Sequence, residues 1–251
     1  MENRQDCHMV KMQSHSWQTP LKLAGLIAIL SGVLLTLAAE PPRIAPGTGH
    51  DLFAQDLSDA DYPTGVWSWR NGELTSHAQD EALWTKAEYE NFLLDFEFKL
   101  EAGANSGVFL YTTNTADWMK NHVEIQLLDD AAPKWTNVPP NWKCAGLFGH
   151  ASPTNAAVKP PGEWNHMTIR SEGPKVTVWL NGEQVLDVNL KNWTSGKTNP
   201  DGTAIPEWLP RPLAELPSKG RIGFQGAHGG IPTHFRHLII APLNPQPPKS
   251  S

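Results

Sequence analysis

The sequence predicts an all-β fold, an antiparallel jelly-roll sandwich of two sheets. Three observations carry this. Residues 92–100 alternate strictly, with Phe92, Leu94, Phe96, Phe98 and Leu100 on one face and Leu93, Asp95, Glu97 and Lys99 on the other. Asn71-Gly72 and Asn181-Gly182 each sit between strand-like runs, the strongest short-range hairpin signal. The 22 prolines and 20 glycines among 251 residues cut the chain into short pieces, and no long amphipathic helix survives between them. Helical bundles and coiled coils are excluded.

The elements follow in chain order. Residues 1–39 read as a signal peptide, because the 17-residue apolar run 23–39 follows Lys22 and ends in small residues before Glu40-Pro41-Pro42. The alternative is an uncleaved membrane anchor, since 17 residues is the lower limit for spanning a bilayer. Cleavage would leave no stable membrane span and an exported chain, periplasmic or secreted. Residues 40–50 form a Pro/Gly linker, 51–243 one domain, and 244–251 a Pro-rich tail. Within the domain, strands are expected near Leu52 and Trp67 and at 92–100, 107–112, 122–128, 164–171, 175–180, 184–190, 221–225 and 233–242. Residues 213–216 are expected to give at most a helical turn. Two long loops, 135–161 and 192–219, are rich in Pro, Asn and Trp, and loops of that length in a compact domain are usually functional.

The net charge of −6, without any basic run, argues against nucleic acid as a partner. Cys144 is the one cysteine left after a leader containing Cys7, so no intramolecular disulfide is expected even on export. Oligomeric state is not legible. The composition is odd in one respect, with 11 Trp against 3 Tyr and 8 Phe. Sugars present apolar C–H faces that pack on aromatic planes and hydroxyls that need fixed polar partners, so a Trp-rich concave sheet suits a carbohydrate. About half of the tryptophans, Trp67, Trp69, Trp164 and Trp179 among them, are expected to plug the core instead. Trp135, Trp142, Trp193 and Trp208 on the two long loops make the expected sugar-stacking set.

Alternation through 122–128 sends Val123, Ile125 and Leu127 to the core and sets His122, Glu124 and Gln126 side by side on the other face. An acid, an amide and an imidazole then share one surface, which is either an ordinary wet sheet face or a site.

Several motifs add to this reading: Asn105-Ser106-Gly107-Val108-Phe109-Leu110, Glu124-Ile125-Gln126-Leu127-Leu128-Asp129, Lys159-Pro160-Pro161-Gly162-Glu163-Trp164-Asn165, Val178-Trp179-Leu180-Asn181-Gly182, Asn199-Pro200-Asp201-Gly202, and Ile222-Gly223-Phe224-Gln225 with His228-Gly229 and Phe235-Arg236. Individually weak, together and in this order they resemble the 3-keto-disaccharide hydrolase domain family across residues 51–243. The resemblance implies a concanavalin A-like jelly roll, usually exported, acting on sugars already oxidised at C3. In one place the chain departs from that family. Its members tend to read Gln-Asp-His-Gly near the end, whereas here Gln225 is followed by Gly226-Ala227-His228-Gly229-Gly230. The acid is missing and one residue is inserted, so a role resting on that carboxylate does not carry over.

A ketone at C3 acidifies the C2 hydrogen. A base can remove it, the enolate can expel the C1 substituent, and water added to the enone completes a net hydrolysis. Such a site needs a base, an acid for the leaving group and a stabiliser of the enolate oxygen. Glu124 and His228 are the candidates for base and acid, in either order, and Lys159 is the candidate cationic stabiliser. Asn105, Gln126, Gln225 and His122 are candidates for orienting hydroxyls. No cofactor is expected; a divalent metal is the open alternative, with His122, Glu124 and His228 meeting around it. Two rival functions stand beside this one. A conventional retaining glycosidase would use Glu124 and Asp129, but positions five apart point to opposite faces of a flat strand, and retention needs carboxyls about 5–5.5 Å apart. A non-catalytic carbohydrate-binding sandwich would use the same fold and tryptophans.

Overall fold

The computed structural model describes residues 40–77 and 79–243. The expected leader at 1–39 and the tail at 244–251 lie outside the described residues. Thirteen strands are described: β1 His50–Asp51, β2 Ala60–Asp61, β3 Trp67–Arg70, β4 Glu73–Ser76, β5 Leu83–Glu90, β6 Phe92–Leu100, β7 Asn105–Thr112, β8 Val123–Leu128, β9 Trp164–Glu172, β10 Lys175–Leu180, β11 Glu183–Asn189, β12 Lys219–Phe224 and β13 Thr233–Pro242. Helix among the described residues is confined to short 3₁₀ turns, and no helix there is long and apolar enough to cross a membrane.

The strands form two antiparallel sheets, a jelly-roll sandwich. One runs β11-β10-β9-β6-β13-β4-β3, with β1 also paired to β13; the other runs β2-β5-β12-β7-β8. The core lies between them. Phe96 of β6 and Phe235 of β13 meet Phe224 of β12 with centroids 5.8 and 4.9 Å apart, so the first sheet locks to the second through edge-to-face rings. Tyr111 of β7 reaches across and hydrogen-bonds Ser171 of β9 at 2.7 Å; burial pushes its phenol up to about 12. Tyr111 points inward because β7 bulges there, with Tyr111 at φ 63° and a register shift in its partner β12. Leu110 and Tyr111 consequently both enter the core, while Phe109 stays on the far face.

The sequence patterns resolve as expected where alternation is clean: β6, β10 and β13 have the predicted limits. Both Asn-Gly pairs sit in tight hairpins with positive φ at each residue, 54° and 81° at Asn71-Gly72 and 53° and 90° at Asn181-Gly182. β5 has no counterpart in the sequence reading. Its charges Lys86, Glu88 and Glu90 do alternate, but its first three residues are all buried and the next three all exposed, so no continuous apolar face runs along it.

The outer face of β7 and β8 is the ground of the site. All six residues of β8 are buried, polar ones included, because the segment 141–151 folds over its edge. Ala145 N donates to Gln126 O (2.7 Å), Gln126 N to Gly146 O (3.0 Å) and Phe148 N to Glu124 O (2.9 Å). A loop has thus taken the place of a further strand, and the face expected to be wet is walled in.

Candidate functional site

Alternation brings Asn105, Gly107 and Phe109 of β7 to the same face as Glu124, Gln126 and Leu128 of β8, in the register Phe109↔Glu124, Gly107↔Gln126 and Asn105↔Leu128. The Glu124 carboxylate leans over Gly107 so closely that a Cβ at that position would collide with Oε1. Glycine at 107 thus opens the floor on which the carboxylate lies, and a side chain there would displace it. On the neighbouring strand Gly223 does the same for Trp84, whose indole lies across the sheet and stacks on Phe109 (5.4 Å, 24°).

Above this floor is a cavity of about 260 Å³. Glu124, Gln126, Asn105, Gln225, His228 and Asp80 supply its polar groups. Trp118, Trp135, Trp142 and Trp208, with Met119 and Phe148, supply much of its aromatic and apolar wall. The two exposed large hydrophobic residues among those described, Met119 and Trp208 (49% exposed), both stand at this cavity.

The polar groups are held from behind and left open in front. Gln225 is tied to β7 through its backbone, its N donating to Gly107 O (2.8 Å) and its carbonyl accepting from Ser106 Oγ (2.8 Å). Its side-chain Oε1, like Gln126 Oε1 and Asn105 Oδ1, is buried without a hydrogen-bond partner. Left without water or ligand, each such group would cost about 1–3 kcal/mol, so three facing one cavity give it a cluster of open acceptors for hydroxyl groups. Glu124, 8% exposed, has one ionisable neighbour in contact, His122, whose Nε2 is 3.8 Å from Oε2. His122 donates from Nδ1 to Trp118 O (2.6 Å), and its ring packs on Phe109 and Trp118.

His228 approaches from the turn after β12. Gly226 lets that turn press against the backbone of Gln79 and Glu81, where a Cβ would collide with Gln79 O. Ala227 N then donates to Gln79 O (2.9 Å), and His228 Nδ1 lies 2.5 Å from Asp80 Oδ2. The carboxylate absent between Gln225 and His228 in the chain is supplied in space by Asp80. This hydrogen bond raises the His228 imidazolium above its usual range; burial opposes the rise, the charges of Asp80 and Glu124 add to it, and Lys134 subtracts. His150, deeper behind the site, behaves oppositely: burial lowers it to about 4, against the hydrogen bond that its Nδ1 donates to Phe148 O (2.7 Å).

The structure thus brings together Glu124, Gln126, Asn105, Gln225, His228, Trp135, Trp142 and Trp208. It does not bring in three others. Lys159 lies in the loop that leads into β9, where its Nζ donates to Trp164 O (2.9 Å) and its N to Asn165 Oδ1 (2.8 Å), so it does not line the cavity over Glu124. Trp193 is a core plug: it is 6% exposed, its Nε1 donates to Asn199 Oδ1 (2.9 Å) and its ring meets His150. His122 backs Glu124 from beneath the cavity wall and does not line the cavity. Among the described residues no group of three or more His, Cys, Asp or Glu is placed to hold a metal ion, so His122, Glu124 and His228 do not meet as one ligand set. Cys144 is buried, and burial pushes its thiol up, leaving it inert. Asp80 lines the cavity without being singled out by the sequence, and Trp118 lines it from outside the two long loops. Asp80 lies in an unpatterned loop, and nothing local to it announces a partner 148 positions away.

Comparison with known proteins agrees with this picture. The family model of the 3-keto-alpha-glucoside-1,2-lyase-like domain matches residues 49–241. The crystal structure of a candidate glycosyl hydrolase from Parabacteroides distasonis ATCC 8503 is 48% identical, covering 78% of this chain and 99% of its own, with a TM-score of 0.75. Two further candidate glycosyl hydrolases from the same organism share the fold: one is 20% identical over 76% of this chain and 91% of its own (TM-score 0.61), the other 23% identical over 90% and 100% (TM-score 0.57). No curated protein matches the chain. With three quarters of its length inside that match, this chain belongs to the 3-keto-alpha-glucoside-1,2-lyase-like domain family.

Proposed function

We propose that this is an exported, carbohydrate-active enzyme that cleaves the glycosidic bond of sugars carrying a ketone at C3. The observation that carries the reading is the Glu124 carboxylate, laid over Gly107 without a hydrogen-bond donor and faced by three unpartnered amide oxygens and by His228. Export, to a periplasm or outside the cell, rests on the apolar run 23–39.

Glu124 takes the proton from C2, and the C2–H electron pair forms the C2=C3 enolate. The enolate collapses to the enone as the C1–O bond breaks, and the departing oxygen takes the proton of the His228 imidazolium. Water then adds at C1, giving its proton to the neutral imidazole, while Glu124 returns a proton to C2. The balance is one water consumed and one glycosidic bond lost. His228 suits the acid role because its pairing with Asp80 holds the proton to higher pH, which favours Glu124 as the base. Asn105, Gln126 and Gln225 orient the hydroxyls, whose O–H groups their open amide oxygens accept; Trp135, Trp142 and Trp208 receive the apolar sugar faces.

A retaining mechanism through Glu124 and Asp129 finds no support. Asp129 is buried in a turn, its Oδ2 accepting from Gly103 N (2.7 Å) and its Oδ1 from Ala131 N (3.2 Å), so its carboxylate is already engaged.

The test is turnover on a 3-keto disaccharide, its parent disaccharide and a non-hydrolysable glycan, with and without chelator. Free sugar from the 3-keto compound alone is the expected result. Cleavage of the parent would make the protein a conventional glycosidase, and binding without turnover a lectin.

A further inference from the structure

Behind the catalytic cavity is a second hollow of about 550 Å³ that the proposed mechanism leaves unused. The two share Trp142 and Trp208, whose rings meet nearly edge-on at 6.0 Å and 74° and form the divide between them. Trp142 is braced by Phe148 at 5.0 Å, whereas Trp208 remains half exposed at the crest. The hollow is built from the tips of both long loops, with Pro139 and Pro140 on one side and Ile205 and Pro206 on the other. The polar groups there are neutral or acidic: Asn141, Ser152, Thr203, Asp201 and Glu207. Asn141 Oδ1 is buried without a partner, as are the three amide oxygens of the first cavity.

We propose that this hollow is a second saccharide subsite, which holds the portion of a neutral oligosaccharide lying beyond the ring seated over Glu124. The proposal rests on the carbohydrate reading of the first cavity and extends it to substrates longer than a disaccharide. Flat apolar surface beside fixed hydrogen-bonding groups is the complement of a pyranose ring. The oligosaccharide crosses the Trp142–Trp208 crest, where the half-exposed Trp208 ring borders both hollows. Charge selects the class of ligand. Asp201 and Glu207, with no Lys or Arg lining the hollow, repel uronic or sulfated sugars and admit neutral ones. Asp201 is held ionised by Thr203, whose side chain and backbone both donate to it and lower its pKa.

Calorimetric titration of the full chain with cellobiose against cellotetraose, and maltose against maltotetraose, tests this. In at least one series the tetrasaccharide is expected to bind about tenfold or more tightly than the disaccharide. Ser152→Trp and, separately, Glu207→Trp replace exposed residues at the hollow and fill it, and either is expected to bring the ratio of the two affinities to about one. Equal affinity of dimer and tetramer for the unaltered protein overturns the subsite while leaving the first cavity as a sugar site. A tetramer advantage that survives both filling variants also overturns it. Absence of binding by every sugar overturns the subsite, while the carbohydrate reading of the first cavity falls only if the 3-keto disaccharide is neither bound nor cleaved.

Discussion

The outward faces of the two sheets carry much the same residue types and use them differently. On the eight-stranded sheet every acid of the central strands is engaged. Glu97 accepts from Arg236 Nε (2.6 Å) and His237 Nδ1 (2.8 Å), and Asp95 from His166 Nε2 (2.9 Å) and Thr168 Oγ1 (2.7 Å). Even the tryptophan there is occupied, with Lys99 Nζ and Arg236 Cζ 4.8 and 4.0 Å from the Trp164 ring. On the five-stranded sheet Glu124 has a histidine at 3.8 Å and no hydrogen-bond donor among the described residues, three amide oxygens are unpartnered there, and Trp208 stands half exposed. Type and alternation do not separate a structural polar face from a functional one. The separation lies in whether each group's bonding is completed within the protein.

The largest effect that sharpens this contrast is expected at the uncompleted acid. Glu124→Gln keeps the shape and removes the base, so kcat/KM on a 3-keto disaccharide is expected to fall by about 10²–10⁴-fold with the melting temperature nearly unchanged. Near-normal turnover would show the face to be as structural as its counterpart.

Gly107→Ala acts on position alone. The new methyl group needs the space that Glu124 Oε1 occupies, so the carboxylate must move, and misplacement on the ångström scale is expected to cost about 100-fold in kcat. If the alanine variant turns over at the normal rate, the carboxylate position over Gly107 is not the reacting one.

Asp80→Asn changes the pH profile more than the rate at low pH. The hydrogen bond to Asp80 raises the His228 pKa, and the acid role needs the protonated form, so activity is lost as pH rises through that raised value. Without the Asp80 charge the alkaline limb of kcat/KM is expected to move to lower pH. An unmoved limb would remove His228 from the acid role. The smallest effect belongs to the completed face. Lys159→Ala, in the loop that leads into β9 of the eight-stranded sheet, is expected to change kcat/KM by less than about twofold, as surface substitutions away from a site usually do.

Much of the site was legible in the sequence because a strand's period of two is a local property. Once residues 122–128 are read as a strand, Glu124 and Gln126 share a face whatever else the chain does, and the same holds for Asn105 two strand positions from Gly107. Loop tryptophans were harder. Trp135, Trp142 and Trp208 reach the cavity, but Trp193, in the same loop as Trp208, is drawn inward because Asn199 completes its indole N–H and Leu190 and Leu213 lie buried nearby in the core. Composition carries no information about which indole finds a buried partner.

By itself, the sequence determined the all-β class, the limits of the cleanly alternating strands, the two Asn-Gly hairpins and the pairing of an acid with an amide on one face, since each depends on residues adjacent in the chain. Only the tertiary structure decided which distant groups meet that face: Asp80 behind His228, the 141–151 segment closing the edge of β8, Lys159 tied instead to the start of β9, and the Trp142–Trp208 crest dividing two hollows. Those juxtapositions depend on how loops pack across a sandwich. That packing is set by space as much as by side-chain chemistry, as at Gly107, Gly223 and Gly226, where the absence of a Cβ lets another part of the chain approach.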